Sequence, residues 1–257
     1  MLALLSPAKK LLFEDAPRTN IFTHPDLLDD TKCLIKNAQR LSRNEIARMM
    51  KLSDKLADLN YQRFRDFTSP FTLSNARQAI HVFKGDTYIG LNALTLSKEE
   101  LKYAQEHIRI LSGLYGLLRP LDLLQPYRLE MGTRFEANGT NNLYDFWGTR
   151  ITDVISKSLA NHKEKTIINL ASKEYFKSVK TDCLKHLVIT PIFKEIKEGK
   201  ARVIGLYAKR ARGMMARYIV TDQIESSDYI KDFSADGYIY QPQISTQEFP
   251  VFTRPQP

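Results

Sequence analysis

The spacing of apolar and polar positions changes character from segment to segment, and those changes outline the elements of this chain. Residues 1–6 (MLALLS) are apolar enough for a short buried strand, closed by Ser6-Pro7. Residues 11–25 carry Asp15-Ala16-Pro17, Thr19-Asn20 and His24-Pro25 and read as loop. Leu27, Leu28, Leu34, Ile35, Ala38 and Leu41 recur at helical spacing over residues 26–41. Ser42-Arg43-Asn44-Glu45 is a capping-box pattern, followed by Ile46, Ala47, Met49 and Met50 on one stripe. A helix is expected from Ser53-Asp54 to about Phe64, broken by Ser69-Pro70. Another, capped by Ser74, passes through Ala76, Ala79, Ile80 and Phe83 and ends at Lys84-Gly85-Asp86.

A second capping box, Ser97-Lys98-Glu99-Glu100, opens a helix that should reach Leu111. Gly113 and Gly116 end it, Pro120 follows, and residues 121–124 begin another apolar segment. Residues 127–131 are strand-like. Residues 143–162 are helical, with Phe146, Trp147, Ile151, Val154, Ile155 and Leu159 on the buried side. Residues 166–170 read as a buried strand, and Ser172 caps a short helix to Val179. Strands at about 187–196 and 202–207 join as a hairpin at Glu198-Gly199. Residues 208–223 are helical, and strands at 238–241 and 249–253 finish the chain. With no repeat, low-complexity tract or dividing linker, the expected fold is a mixed α/β single domain over residues 1–257. It has a central mixed sheet flanked by helices.

Composition narrows the class. The 257 residues are 43% hydrophobic and 26% charged, as in soluble globular proteins, which disfavours disorder, collagen and coiled coil. No apolar run approaches the roughly 18 residues that span a bilayer. Lys9 and Lys10 follow the short apolar start, the reverse of a signal peptide. A cytoplasmic protein with no membrane partner is expected, monomeric by default. Cys33 and Cys183 are far apart, and the five histidines are dispersed without metal-ligand spacing. No metal site, redox pair or cofactor is expected.

The charge is +9, spread along the chain but clustered locally. Residues 200–217 hold Lys200, Arg202, Lys209, Arg210, Arg212 and Arg217 with no acid. Residues 157–185 hold seven lysines against Glu164, Glu174 and Asp182. Basic clusters on folded elements suit a polyanion, although a solvated cationic surface gives the same pattern.

Five segments carry candidate chemistry. Residues 111–120 (LSGLYGLLRP) place Gly113 and Gly116 in a turn between helical segments, where backbone N–H groups can approach an anion, with Arg119 adding charge. That is the logic of a helix-hairpin-helix grip on DNA. Two residues rather than one separate the glycines, and a helix C-cap followed by a proline-opened helix reads more readily from the same segment. Arg128 and Glu130 share one face of residues 126–132, as a surface ion pair or as a pocket edge in which Arg128 binds an anion and Glu130 orients it or acts as a base. Lys84-Gly85-Asp86 sets a lysine and a carboxylate around a turn. Ser172 and Lys173 follow a buried strand, the position where open α/β sheets place ligands, without a Gly-rich fingerprint. Lys209, Arg210 and Arg212 sit near a helix start, where cations oppose the dipole, a conflict best explained by a partner.

Taken in order, several stretches resemble the YaaA family of peroxide stress resistance proteins. They include Leu5-Ser-Pro-Ala-Lys9, Asn75-Ala-Arg-Gln-Ala-Ile80, Phe83-Lys-Gly-Asp86, Leu111-Ser-Gly-Leu-Tyr-Gly116, Gln125-Pro-Tyr-Arg-Leu-Glu-Met-Gly132, Ile168-Asn-Leu-Ala-Ser172 and Tyr207-Ala-Lys209 with Ala211-Arg-Gly213. The resemblance is collinear and weakens after about Ser226. It implies a cytoplasmic α/β protein that limits oxidative DNA damage and lowers free iron under peroxide stress. It further implies a basic cleft, a helix-hairpin-helix-like element at about 97–124, and binding to duplex or branched DNA.

Two functions follow. In the first, weakly sequence-specific DNA binding uses Gly113, Tyr115, Gly116, Arg119, Lys177, Lys209, Arg210, Arg212 and Arg217. In the second, an enzyme acts on a nucleotide or other anionic small molecule through Lys9, Arg128, Glu130 and Lys209. If those four line one pocket, the second gains ground.

Overall fold

The computed structural model describes residues 1–13 and 17–257, so the Asp15-Ala16 part of the expected early loop lies outside the described residues. The architecture is mixed α/β. Its central sheet contains β1 (Leu2–Leu5), β2 (Ile108–Ser112), β3 (Gly116–Leu118), β4 (Ile167–Asn169) and β5 (Val188–Ile189), in spatial order β3-β2-β1-β4-β5. β1 runs parallel to both β2 and β4, β4 parallel to β5, and only β3 is antiparallel. Every residue of β1, β2 and β4 is buried, which explains why β1 and β4 read as apolar runs rather than alternations. The chain builds out from β1 to β2 and β3, then returns to β4 on the other side. The carboxyl ends of β1 and β4 therefore flank a crevice of the kind that holds ligands in open α/β sheets.

A second sheet, in order β7-β6-β9-β8, comprises β6 (Ile192–Lys197), β7 (Lys200–Arg202), β8 (Ile239–Tyr240) and β9 (Val251–Pro255). The β6–β7 hairpin turns at Glu198 and Gly199, both at positive φ, as the sequence predicts. Phe193, Phe233, Tyr238 and Phe252 form its aromatic core.

The helical predictions hold best where caps are explicit. Helices α1 (Leu28–Ala38), α2 (Arg43–Met50) and α3 (Asp54–Arg65) form as expected, and α2 has its complete Ser42–Glu45 capping box. The segment from Ser74 differs. Only Ala79–Val82 is helical, between two short strand segments, Arg77–Gln78 and Phe83–Lys84, which pair with residues 123–124 and 10–11. A helix unforeseen in the sequence, α4 (Asp86–Leu91), follows directly.

The expected helix-hairpin-helix is absent from residues 97–124. Ser97 and Glu100 cap α5 (Lys98–His107) reciprocally, but the helix stops there and the chain becomes the β2–β3 hairpin. Ala104, Ile108 and Leu111 fit a helical stripe, yet Ile108-Arg-Ile-Leu-Ser112 also suits a buried strand, and pairing with β1 decides. Arg109, buried and pushed down to about 10 chiefly by burial, donates to the Gln105 and Ile108 carbonyls at 2.8 Å and so caps the end of α5.

The expected helix over 143–162 is two, Leu143–Trp147 and α6 (Arg150–Leu159), separated by Gly148 at positive φ. The last long helix, α7 (Gly205–Thr221), starts three residues before the predicted one. It crosses α4 so closely that a Cβ on Gly213 would lie 1.7 Å from the Thr87 carbonyl oxygen, and one on Gly90 2.1 Å from that of Arg210. This backbone-to-backbone contact locks the segment from Arg210 to Met214 of α7 against α4. Among the described residues, no helix is long and apolar enough to cross a membrane.

Candidate functional site

A cleft of about 500 Å³ opens over the carboxyl ends of β1 and β4. Four stretches line it: Ser6 to Lys10 after β1, Lys84 to Tyr88 at the start of α4, Leu170 to Tyr175 after β4, and Lys209 with Arg212 on α7, joined by Glu130. The floor is tied together by hydrogen bonds. The Ser172 amide donates to Ser6 Oγ at 2.8 Å, and the buried Tyr88 hydroxyl donates to the Ser6 carbonyl at 3.0 Å. Beyond β4, Asn169 Oδ1 accepts from the Ala171 amide at 3.0 Å, turning the chain toward Ser172, which caps the short helix Lys173–Phe176.

The wall bearing Glu130 belongs to residues 126–132. Its faces alternate as the sequence predicts, Tyr127, Leu129 and Met131 buried and Arg128 and Glu130 half-buried, but it pairs with no strand among the described residues. It packs instead over the β2–β3 turn, where a Cβ on Gly113 would meet the Leu129 carbonyl at 2.2 Å. Tyr127 and Ser112 hydroxyls are 2.6 Å apart, and the Gly132 amide donates to Glu174 at 3.0 Å.

Electrostatically, five cations (Lys9, Lys10, Lys84, Lys209, Arg212) face three carboxylates (Asp86, Glu130, Glu174). Glu130 Oε1 holds both Lys9 Nζ and Arg128 Nη2 at 3.1 Å. Arg128 Nε is buried without a hydrogen-bond partner among the described residues, and burial followed by the Arg128 charge holds the Arg63 guanidinium below its usual value. Arg212 is the sharpest case. Burial alone lowers its pKa, and among the described residues no carboxylate lies within ion-pair distance of it. Tyr175 and Tyr88 are both raised chiefly by burial, so both lend neutral hydroxyls.

A model of the peroxide stress protein YaaA family matches residues 1–244, nearly the entire length over which these segments are distributed. The chain belongs to that family. It is 52% identical to a UPF0246 protein of Magnetococcus marinus and 51% to one of Shewanella sp. strain W3-18-1, each over 99% of both chains. A UPF0246 protein of Aliivibrio fischeri strain MJ11 is 49% identical over 99% of this chain and 98% of its own.

The structure brings together Lys9, Glu130 and Lys209 in the cleft, with Arg128 bonded to Glu130 at its edge. The expected DNA contacts scatter. Gly113, Tyr115 and Gly116 are buried in the hairpin turn of this family member. There Trp147 Nε1 donates to the Gly113 carbonyl at 3.0 Å, and the Trp147 ring packs on Gly116 at φ +67°. Those glycines are buried and serve packing. Arg119 is engaged by Asp122, Asp26 and the His24 carbonyl. Arg217 donates to the Leu91 and Asn92 carbonyls, capping α4. Lys177 lies over the Tyr144 ring, 4.9 Å from its centroid, and is not among the cleft residues. Arg210 is exposed beside Lys209, while Arg212 turns into the cleft. Sequence reasoning missed Ser6, Lys10, Tyr88 and Tyr175 as site residues. The signal available for Ser6 and Lys10 was their place directly after a buried parallel strand.

Proposed function

We propose that the cleft binds a phosphate-bearing small molecule of nucleotide size, and that this binding underlies the protein's part in peroxide stress. The observation that carries the reading is Arg212, a half-buried guanidinium lining a cationic cleft with no carboxylate within ion-pair distance among the described residues. Burying such a charge is costly unless an anion compensates it, and a guanidinium fork suits phosphate oxygens. A volume of about 500 Å³ falls in the range of small-ligand pockets, with Lys84 and Lys209 placed to share the anion. Calorimetric titration with inorganic phosphate and adenosine 5′-monophosphate tests this. Binding by the wild type that falls at least ten-fold in Arg212→Gln is the expected result. Equal binding by both proteins would sink it.

DNA binding is the second reading, favoured by the exposed Lys10, Lys84, Lys209 and Arg210, none of which has an ion-pair partner among the described residues. Without the buried glycine turn, contact would run along these side chains to backbone phosphates. Log affinity should then fall with log salt at a slope near −0.9 per phosphate neutralised. Duplex, junction and single-stranded DNA compared by anisotropy, with charge reversal at Lys209 and Arg210, distinguishes it from binding inside the cleft. On either reading the chain acts as a cytoplasmic monomer folded as one domain.

A further inference from the structure

The carboxylates of the cleft need an explanation that phosphate binding alone does not supply. An acid beside a phosphate site weakens it by like-charge repulsion, so three of them lining the same cleft imply a different task. Glu174 is engaged by the Gly132 amide. Glu130 directs Oε1 to Lys9 and Arg128, and its Oε2 has no hydrogen-bond partner among the described residues. Asp86, half-buried in the first turn of α4, likewise has no partner among them. These are acceptor positions facing the same space as Arg212.

Ionised carboxylates accept hydrogen bonds and donate none, so the groups they recognise are hydroxyls or amines. Beside a phosphate anchor, the class that supplies both is a phosphate monoester with neighbouring hydroxyls. We propose that the cleft reads a phosphorylated polyol, a ribose phosphate or a ribonucleotide, with Arg212 on the phosphate and Glu130 and Asp86 accepting from the hydroxyls. Lys9 and Arg128 orient Glu130 for this. The proposal rests on the phosphate-binding reading of the cleft and makes it selective. A deoxyribonucleotide lacks part of the hydroxyl set, and a DNA strand lacks all of it.

The experiment is calorimetric titration of the full chain with inorganic phosphate, ribose 5-phosphate, adenosine 5′-monophosphate and its 2′,3′-dideoxy analogue. The wild type should bind the ribonucleotide at least about ten-fold more tightly than the dideoxy analogue. Asp86→Asn and Glu130→Gln, singly and together, should erase that ratio, and because each removes a negative charge beside the phosphate, inorganic phosphate should bind more tightly than in the wild type. Ribose 5-phosphate matching the ribonucleotide assigns the sugar phosphate as the recognised unit; markedly weaker binding assigns the nucleotide. Equal affinity for the ribo and dideoxy forms in the wild type, or a ratio unchanged in both variants, overturns the proposal while phosphate binding stands. Absence of phosphate and nucleotide binding in the wild type overturns both it and the reading on which it rests.

Discussion

Individual side chains show most directly what burial demands of charge. Arg254 is buried, with Glu195 Oε1 at 3.5 Å, a bond to Asp236, and the Tyr238 ring centroid at 4.5 Å, while the Tyr238 hydroxyl donates to Glu195. Replacing Arg254 with Met leaves Glu195 buried and uncompensated, an expected loss of about 3–5 kcal/mol in urea unfolding. Glu195→Leu combined with Arg254→Met should recover much of it, since no orphaned charge remains inside the sheet. The N-terminal ammonium donates to His162 Nδ1 at 3.2 Å, and this acceptor role requires a neutral ring. Burial, then the ammonium, pushes His162 down to about 4, against roughly 6.5 unfolded. The unfolded chain therefore binds more protons between those values. Stability is complete above about pH 6.5 and is lost as pH falls toward 4, by about 1 kcal/mol once solvent exposure is discounted. Thermal melts across that range should show the slope, and His162→Gln should flatten it.

Elements succeed or fail as predictions according to whether their limits are encoded locally. The Ser42 and Ser97 capping boxes appear in full because each needs only four consecutive residues. Ser97→Ala should cost about 1 kcal/mol, read by chemical denaturation. The end of α5 has no such local mark. Ile108, Ile110 and Leu111 suit helix or strand alike, and the chain turns to β structure because β1 offers a ladder. The α4–α7 crossing depends on Gly90 and Gly213 together. An alanine at Gly213 must displace the Thr87 carbonyl, so Gly213→Ala should destabilise the fold by about 1–3 kcal/mol. Because the same crossing seats Lys209 and Arg212 beside Lys84, phosphate affinity should fall with it. Unchanged phosphate binding in a folded Gly213→Ala protein would separate the crossing from the cleft.

At the scale of the molecule, the cleft is an assembly of distant chain segments, and ligand should stabilise the whole. Phosphate at a hundred times its dissociation constant should add about 2.7 kcal/mol to unfolding, an increase that a ten-fold loss of affinity in Arg212→Gln cuts to about 1.4 kcal/mol. Much of the architecture was legible beforehand: the buried strands at 2–5 and 167–169, the first three helices, the β6–β7 hairpin and the mixed α/β class all follow from period, caps and turn residues. Lys9, Arg128, Glu130 and Lys209 were legible as chemistry, although their company was not. What the sequence determined by itself is whatever acts over neighbouring residues, namely apolar period, caps, turns and the surplus of cations. Tertiary structure alone decided that the glycine turn faces inward against Trp147 and that Arg119 and Arg217 are consumed by internal partners. It also decided that Arg212, rather than its neighbour Arg210, enters a cleft with Glu130 and Asp86. The physical reason is that burial and pairing depend on which distant segments meet, and local spacing carries no record of that.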